Sequence, residues 1–238
     1  MVKVSVVIPF YNCSYVDQAI KSVLDQTYSN IEILVVSDGS TKHLEKITPF
    51  VDRIAFLQKE NGGTASALNL GIENAKGDYI SWLSSDDIFY PTKTEKQLEE
   101  MLRKNSLVSY TNYVAINEKN EIISPPVGEY FPNRLEFLKT MRKRNIINGC
   151  TTLIHRKVFS EIGLFDTNLP YTHDYDLWIR ILQKYSFDYL PDTLLKYRVH
   201  SNMGTKKHAK EIKEEVRFVQ KKHLLSINQA IFRYLLDK

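Results

Sequence analysis

The hydrophobic positions in the first half of the chain fall into short runs, separated by longer amphipathic stretches. The apolar runs lie at 2–8, 31–36, 54–57 and 79–83. Each run is mostly apolar rather than alternating, which is typical of strands that are buried on both faces of a parallel sheet. The segments between them have helical spacing and lie at 15–26, 64–75 and 91–104. This order predicts an α/β fold with a mostly parallel sheet flanked by helices.

The second half of the chain has a mixed pattern. Apolar stretches at 107–116 and 121–123 flank four turn-forming residues, which predicts a hairpin. Further strands are predicted at 150–154 and 194–199, and helices at 134–144, 157–162 and 175–185. Residues 208–236 have the pattern of one long helix or two. We therefore expect one domain at 1–205 and a helical tail at 206–238.

The composition is that of an ordinary globular protein, with 43% hydrophobic and 25% charged residues in a chain of 238. No apolar run approaches the ~18 residues that a membrane-spanning helix needs. The apolar start at 4–8 is too short for the core of a signal peptide. The two cysteines, Cys13 and Cys150, argue against a disulfide framework and fit a reducing compartment. We therefore expect a cytoplasmic protein.

The positive charge of the chain is concentrated in its tail. The net charge is +4, and residues 206–238 carry nine Lys or Arg against four Asp or Glu. Basic residues recur there every three or four positions among apolar ones, as in helices that lie on anionic membranes. A helix that packs on the domain or on a second subunit of a homodimer has the same pattern. We expect the tail to act in localisation, at the inner membrane face if it binds lipid, rather than in chemistry.

Polar residues and glycines follow each of the first four predicted strands. In open α/β sheets the ligand binds at the carboxyl ends of the strands, so these residues are candidates for one site. They are Pro9, Tyr11 and Asn12, then Ser37, Asp38, Gly39 and Ser40, then Glu60, Asn61, Gly62 and Gly63, then Ser84, Ser85, Asp86 and Asp87. The chain has no Gly-x-Gly-x-x-Gly turn and no Walker lysine loop, which argues against dinucleotide and P-loop sites. It also has no zinc-finger, RRM or basic-zipper spacing, so nucleic acid is not an expected partner.

The residue types at this edge suit a nucleoside diphosphate that is bound through a metal. Asp86 and Asp87 supply hard oxygen ligands of the kind that Mg²⁺ and Mn²⁺ share with phosphates. Asp38 can accept a hydrogen bond from an imide N–H such as that of uracil, and Tyr11 can stack on a base. The sequence therefore predicts a site for a nucleotide diphosphate without a P-loop.

An ordered set of motifs along the first 200 residues closely resembles family 2 glycosyltransferases, which have the GT-A fold with its Rossmann-like sheet. The motifs are 4–12 (VSVVIPFYN), 37–40 (SDGS), 61–63 (NGG), 77–80 (GDYI), 85–87 (SDD), 163–166 (GLFD), 173–178 (HDYDLW) and 197–200 (YRVH). Each motif alone is weak, whereas the ordered set is specific. The resemblance implies an inverting enzyme that uses a nucleotide-diphosphate sugar and a divalent cation, Mn²⁺ or Mg²⁺.

The resemblance also implies roles for individual residues. Pro9, Tyr11 and Asp38 would hold the nucleobase, with Asn12, Asn61 and Gly62 in the same donor-binding loops. Asp86 would bind the ribose, and Asp87 the metal. Asp174 would be the general base, Arg198 would lie near the diphosphate, and His200 would add a metal ligand. Residues 1–105 would then bind the donor, and residues 106–205 a saccharide or lipid-linked acceptor.

Two departures from the family pattern and several alternatives stay open at this point. The chain has Leu68 where the family often has arginine, and His173 where it commonly has glutamate. Asp174 also suits a helix N-cap, and His200 an ordinary strand end. A sugar nucleotidyltransferase and a non-catalytic nucleotide-sugar sensor are the alternative functions. A uridine donor is favoured over thymidine, and we expect a role in cell-surface polysaccharide or glycoconjugate synthesis.

Overall fold

One mixed sheet forms the centre of the computed structural model, which describes residues 1–201 and 203–236. Residues 237–238 of the predicted tail lie outside the described residues. The strands are β1 (Val4–Phe10), β2 (Ile31–Asp38), β3 (Ala55–Lys59), β4 (Tyr79–Trp82), β5 (Ile88–Phe89), β6 (Val108–Ile116), β7 (Leu153–His155) and β8 (Asp188–Arg198). Their order across the sheet is β3-β2-β1-β4-β7-β6-β8-β5.

Helices cover both faces of this sheet. They are α1 (Val16–Leu24), α2 (Thr64–Asn74), α3 (Lys93–Lys104), α4 (Arg134–Met141), α5 (Arg156–Ile162), α6 (His173–Leu182), α7 (Gly204–Lys207), α8 (Ala209–Lys222) and α9 (Leu224–Leu236). None of the helices within the described residues combines the length and the apolar character needed to cross a bilayer. The predicted α/β architecture is confirmed.

The strands of the first half run parallel, as their mostly apolar, non-alternating runs predict. In the registers of β1, β2 and β3, Phe10 lies opposite Ser37, and Asp38 lies opposite Lys59. The carboxyl ends of these strands therefore meet at one edge, and β4 joins them in parallel on the other side of β1. The polar loops that follow the four strands are brought to the same side of the sheet.

The tail packs into the body of the protein. One apolar core lies between the sheet and α2, α4, α5 and α6, and a second lies on the opposite face under α1 and α3. Val219, Ile227 and Ala230 of α8 and α9 are buried in the first of these cores. Residues 206–236 are therefore integrated with the domain at 1–205.

Several elements differ from those expected from the sequence. The two-residue strand β5 has no pattern that periodicity can detect, and β8 begins six residues before its predicted start. The predicted strand at 150–154 begins as a 3₁₀ turn at Gly149–Thr151. In the predicted hairpin, Ile122 bridges to Ile116, but 121–123 do not form a regular strand.

Candidate active site

The loop after β3 is shaped by Asp38, which ends β2. The buried carboxylate of Asp38 accepts hydrogen bonds from Nζ of Lys59 at 2.8 Å and from the backbone N–H groups of Gly62 and Gly63 at 2.9 and 2.8 Å. Nδ2 of Asn61 donates to the Asp38 carbonyl at 2.9 Å. The predicted residues Asp38, Asn61 and Gly62 thus form one unit, in which the carboxylate of Asp38 already has partners within the chain.

The loop after β1 leaves one predicted side chain free for a ligand. Tyr11 is 57% exposed, whereas Pro9 is half-buried. Asn12 has a left-handed backbone with a φ of 49°, and its Oδ1 accepts hydrogen bonds from the backbone N–H groups of Thr41 and Lys42. Asn12 therefore joins this loop to the one after β2, and the Tyr11 ring is left exposed.

The two aspartates after β4 occupy different environments. Asp86 is partly exposed, and its Oδ2 lies 3.0 Å from Nε2 of His200. Asp87 is buried, and its Oδ1 accepts a hydrogen bond from the backbone N–H of Arg198 at 2.8 Å. Burial, together with the charge of Asp86, raises the pKa of the Asp87 carboxyl well above its usual value. Asp86, rather than the predicted Asp87, is therefore the accessible carboxylate, and His200 lies beside it.

Arg198, which is predicted to lie near the diphosphate, has its side chain held within the protein. Its side chain is fully buried, and its Nε donates to the carbonyl of Asp86 at 2.7 Å. The terminal nitrogens donate to the carbonyl of Asn117 and to Oε1 of Gln18, and the guanidinium carbon lies 4.3 Å from the ring centre of Tyr15. Because its nitrogens are engaged in this way, Arg198 supports the loop that presents Asp86.

Asp174 is the second residue of α6, and the N-cap position belongs to Thr172. Its Oδ2 accepts a hydrogen bond from Nδ2 of Asn145 at 3.0 Å, and its Oδ1 accepts one from the N–H of Tyr175 at 2.7 Å. Burial raises the pKa of the Asp174 carboxyl above its usual value. A carboxylate with a raised pKa is a stronger proton acceptor, which suits a general base.

His173 connects the start of α6 to the end of β4. It is buried, its Nδ1 lies 3.3 Å from the carbonyl oxygen of Leu169, and its Nε2 has no hydrogen-bond partner within the described residues. Burial lowers the pKa of His173, so the ring is neutral near pH 7. The ring centre lies 5.6 Å from that of Trp82, the last residue of β4. The first turn of α6 therefore packs beside the strand that leads to Asp86.

Asp86 and His200 fit a divalent cation that is shared with a diphosphate. Carboxylate oxygens suit Mg²⁺ and Mn²⁺, and histidine is a common metal ligand. Such ions typically take one or two carboxylates from the protein, and phosphates and water fill the other positions. The described part of the chain holds no group of three or more His, Cys, Asp or Glu side chains placed for a metal. A cation here would therefore need the donor to complete its ligand set.

Some residues that contact the site were not singled out by the sequence. Asn145 lies 29 positions before Asp174 in a stretch with no motif, so its contact carries no signal along the chain. Lys59 is the last residue of β3 and lies opposite Asp38 at the end of β2. The parallel order of the two strands would have been enough to predict this contact. Cys150 is a buried core residue, and its Sγ lies 3.2 Å from both the backbone nitrogen and Oγ of Ser84.

Comparison with known proteins agrees with the motifs. Residues 5–163 match the family model described as glycosyl transferase family 2. An uncharacterized glycosyltransferase of Rickettsia typhi is 42% identical over 217 residues, which cover 89% of this chain and 68% of that protein. The Escherichia coli UDP-Glc:alpha-D-GlcNAc-diphosphoundecaprenol beta-1,3-glucosyltransferase WfgD is 33% identical over 220 residues, covering 89% and 83% of the two chains. The fold is similar to that of S. aureus TarS in complex with UDP-GlcNAc, with a TM-score of 0.73 at 17% identity over 98% of this chain and 71% of that one.

Proposed function

The chain belongs to glycosyl transferase family 2 and is a glycosyltransferase, and from this premise we propose that it transfers a sugar from a UDP-sugar to a saccharide carried on a lipid diphosphate. Family membership decides against the nucleotidyltransferase and the non-catalytic sensor. The name of the relative WfgD, which gives a UDP-Glc donor and a diphosphoundecaprenol-linked acceptor, supports both halves of the proposal.

The observation that supports the proposed donor site most strongly is the contact between Asp86 and His200 beyond the carboxyl end of β4. We assign the metal to these two residues, and leave Asp87 and Arg198 to support them. Tyr11 stacks on the base, and the loops built from Pro9, Asn12, Asp38, Asn61 and Gly62 shape the nucleoside pocket. Residues 1–105 supply most of this donor site, and residues 106–205 supply the base and the acceptor side.

The proposed reaction is a single displacement at the anomeric carbon. Asp174 takes the proton of the acceptor hydroxyl while that oxygen forms its bond to the anomeric carbon. The bond from this carbon to the diphosphate oxygen breaks on the opposite face, so the anomeric configuration inverts. General-base assistance of this kind is typically worth ~10²–10⁴-fold in rate. A bound Mg²⁺ or Mn²⁺ would offset the negative charge that develops on the diphosphate.

Calorimetric titration with a panel of nucleotide-sugars, with and without Mn²⁺, tests the donor assignment. We expect UDP-sugars to bind, with affinity that depends on the metal, and thymidine counterparts to bind more weakly. Metal-independent binding would contradict the role of Asp86 and His200. Preference for a purine nucleotide would contradict the proposed donor.

The exposed side chains of α8 and α9 support the proposal that the acceptor is linked to a lipid. Phe218, Leu225, Phe232 and Leu236 are exposed at intervals of seven or four residues. Lys210, Lys213, Arg217 and Lys221 are exposed on α8. Exposed basic and apolar side chains on these two helices suit contact with an anionic membrane, where each Lys or Arg contributes roughly 1 kcal/mol.

Co-sedimentation with vesicles tests the membrane contact. The protein should bind vesicles that contain anionic lipid and not neutral ones, and should be released by high salt. Leu225→Ser should weaken binding, whereas Val51→Ser, at an exposed valine far along the chain, should not. Absence of binding, or equal loss in both variants, would contradict the membrane proposal.

A further inference from the structure

The segment that enters α6 is held by a side chain of α8. Oε1 of Glu215 accepts hydrogen bonds from the backbone N–H of Tyr171 at 2.9 Å and from that of Thr172 at 2.6 Å. The same oxygen accepts a third from the Thr172 hydroxyl at 2.7 Å. Thr172 is the N-cap residue of α6, and its side chain makes no capping bond to the helix. One carboxylate from the predicted tail therefore fixes the residue at which α6 begins.

A second set of contacts ties α8 and the residue that follows it to α6 on the other side of Asp174. Oδ1 of the buried Asp176 lies 2.7 Å from Nε2 of His223 and 2.8 Å from Nζ of Lys222. Its Oδ2 accepts a hydrogen bond from Nε of Arg180 at 2.8 Å. Burial opposes the ionisation of Asp176, but the hydrogen bonds from His223, Lys222 and Arg180 outweigh it and lower the pKa of the carboxyl. Asp176 therefore stays charged and paired.

We propose that α8 is a positioning element of the active site, and that Glu215 is the residue that sets the place of the Asp174 carboxylate. This inference rests on the proposed role of Asp174 as the general base. Asp174 is the second residue of α6, so the position of its carboxylate depends on where the helix begins. Among the described residues, Asn145 is its hydrogen-bond partner from outside the helix. A displacement of about 1 Å at a reacting group can cost a hundredfold in rate. The tail thus takes part in the chemistry through α6, which revises the expectation that it acts only in localisation.

Three substitutions at one position, with a matched control, test this role. Glu215→Ala removes the acceptor of three hydrogen bonds, and we expect kcat to fall by about tenfold or more while the donor KM stays within about twofold. Glu215→Gln keeps an oxygen at the same reach, which can accept the two backbone hydrogen bonds, and should retain most of the activity. Glu215→Asp keeps the charge on a shorter side chain and should resemble the alanine variant. Glu214→Ala removes the same charge from the same helix, at an exposed position, and should resemble wild type.

The outcomes separate positioning from general stability. If Glu215→Ala lowers kcat without changing donor affinity, and Glu215→Gln restores it, the proposal stands. If Glu215→Ala does not fold, the folded aspartate variant gives the same test. Wild-type kcat in both of these variants, or a loss in Glu215→Gln as large as in Glu215→Ala, would overturn it. Asp174→Asn is measured in parallel: if that variant is active, the base assignment itself has failed, whatever the Glu215 variants show.

Discussion

Removal of the Asp176 carboxylate should destabilise the protein strongly, although the residue takes no part in the proposed reaction. Asp176 is fully buried, and the side chains of Arg180, Lys222 and His223 converge on its two oxygens. Asp176→Ala leaves the charges of Arg180 and Lys222 facing a small cavity without the carboxylate that compensates them, and it removes the partner of the His223 ring nitrogen. An unpaired charge in such a place is costly because water cannot replace the lost partner.

The expected loss of stability in Asp176→Ala depends on which partners of Asp176 keep other hydrogen bonds or ion pairs. Breaking a buried ion pair typically costs about 3–5 kcal/mol. Lys222 also contacts Asp166 at 2.9 Å, and Arg180 also donates to the carbonyls of Ile162 and Leu164. We therefore expect a loss near the lower limit, about 3 kcal/mol. For a chain of this length, that loss corresponds to a fall in Tm of roughly 6–12 °C.

Thermal unfolding at pH 7 measures this change, with Asp52→Ala as the control because Asp52 is exposed in a surface 3₁₀ turn. The control should lie within about 0.5 kcal/mol of wild type. The folded-state pKa of Asp176 is lowered, so its contribution is present above the unfolded-state pKa and is lost as the pH falls through the folded-state pKa. The difference between wild type and Asp176→Ala should therefore persist at pH 5 and shrink below about pH 4. A fall in Tm no larger than that of the control would refute the reasoning.

Three further results are expected at the active site. Asp86→Asn should weaken Mn²⁺-dependent donor binding by about tenfold or more, since an amide is a poor ligand for a hard cation; unchanged metal dependence in calorimetry would contradict the assignment. Tyr11→Ala should raise the donor Kd several-fold, because base stacking is worth ~1–3 kcal/mol, and Tyr11→Phe should leave it unchanged. The kcat should fall on acidification through the raised pKa of Asp174, with the fall beginning above about pH 4, the usual value for aspartate; a profile flat down to pH 4 would contradict the general-base role.

The parallel half of the sheet could be predicted because the signals for its strands and loops lie in short stretches of the sequence. An apolar run followed by polar residues and glycine specifies a buried strand and the loop after it, and parallel strands bring such loops to one edge. Tyr11, Asp38 and Asp86 could therefore be assigned to one rim from their order alone. The strand β5 could not be predicted because it has only two residues, Ile88 and Phe89, and a segment of that length shows no periodicity.

The environments within the site could not be predicted because they depend on partners far apart in the chain. Asp86 and Asp87 are neighbours in sequence, but the backbone N–H of Arg198, 111 residues from Asp87, holds one of them in the interior. Arg198 itself can be buried because acceptors such as Oε1 of Gln18, 180 residues away in the chain, satisfy its guanidinium. Glu215 resembles any other charge on an amphipathic helix until the fold places it against the start of α6.

The central claim, that this glycosyltransferase uses Asp174 as its base, is tested most directly by Asp174→Asn. Transfer from a UDP-sugar to a GlcNAc-diphospholipid acceptor is measured with Mn²⁺, and donor affinity is measured by calorimetry on the same preparation. Asparagine keeps the shape of the side chain but cannot take a proton at neutral pH, so transfer should fall by about 10²–10⁴-fold while the donor Kd stays within about twofold. Turnover within a few-fold of wild type, with the donor bound normally, would contradict the account.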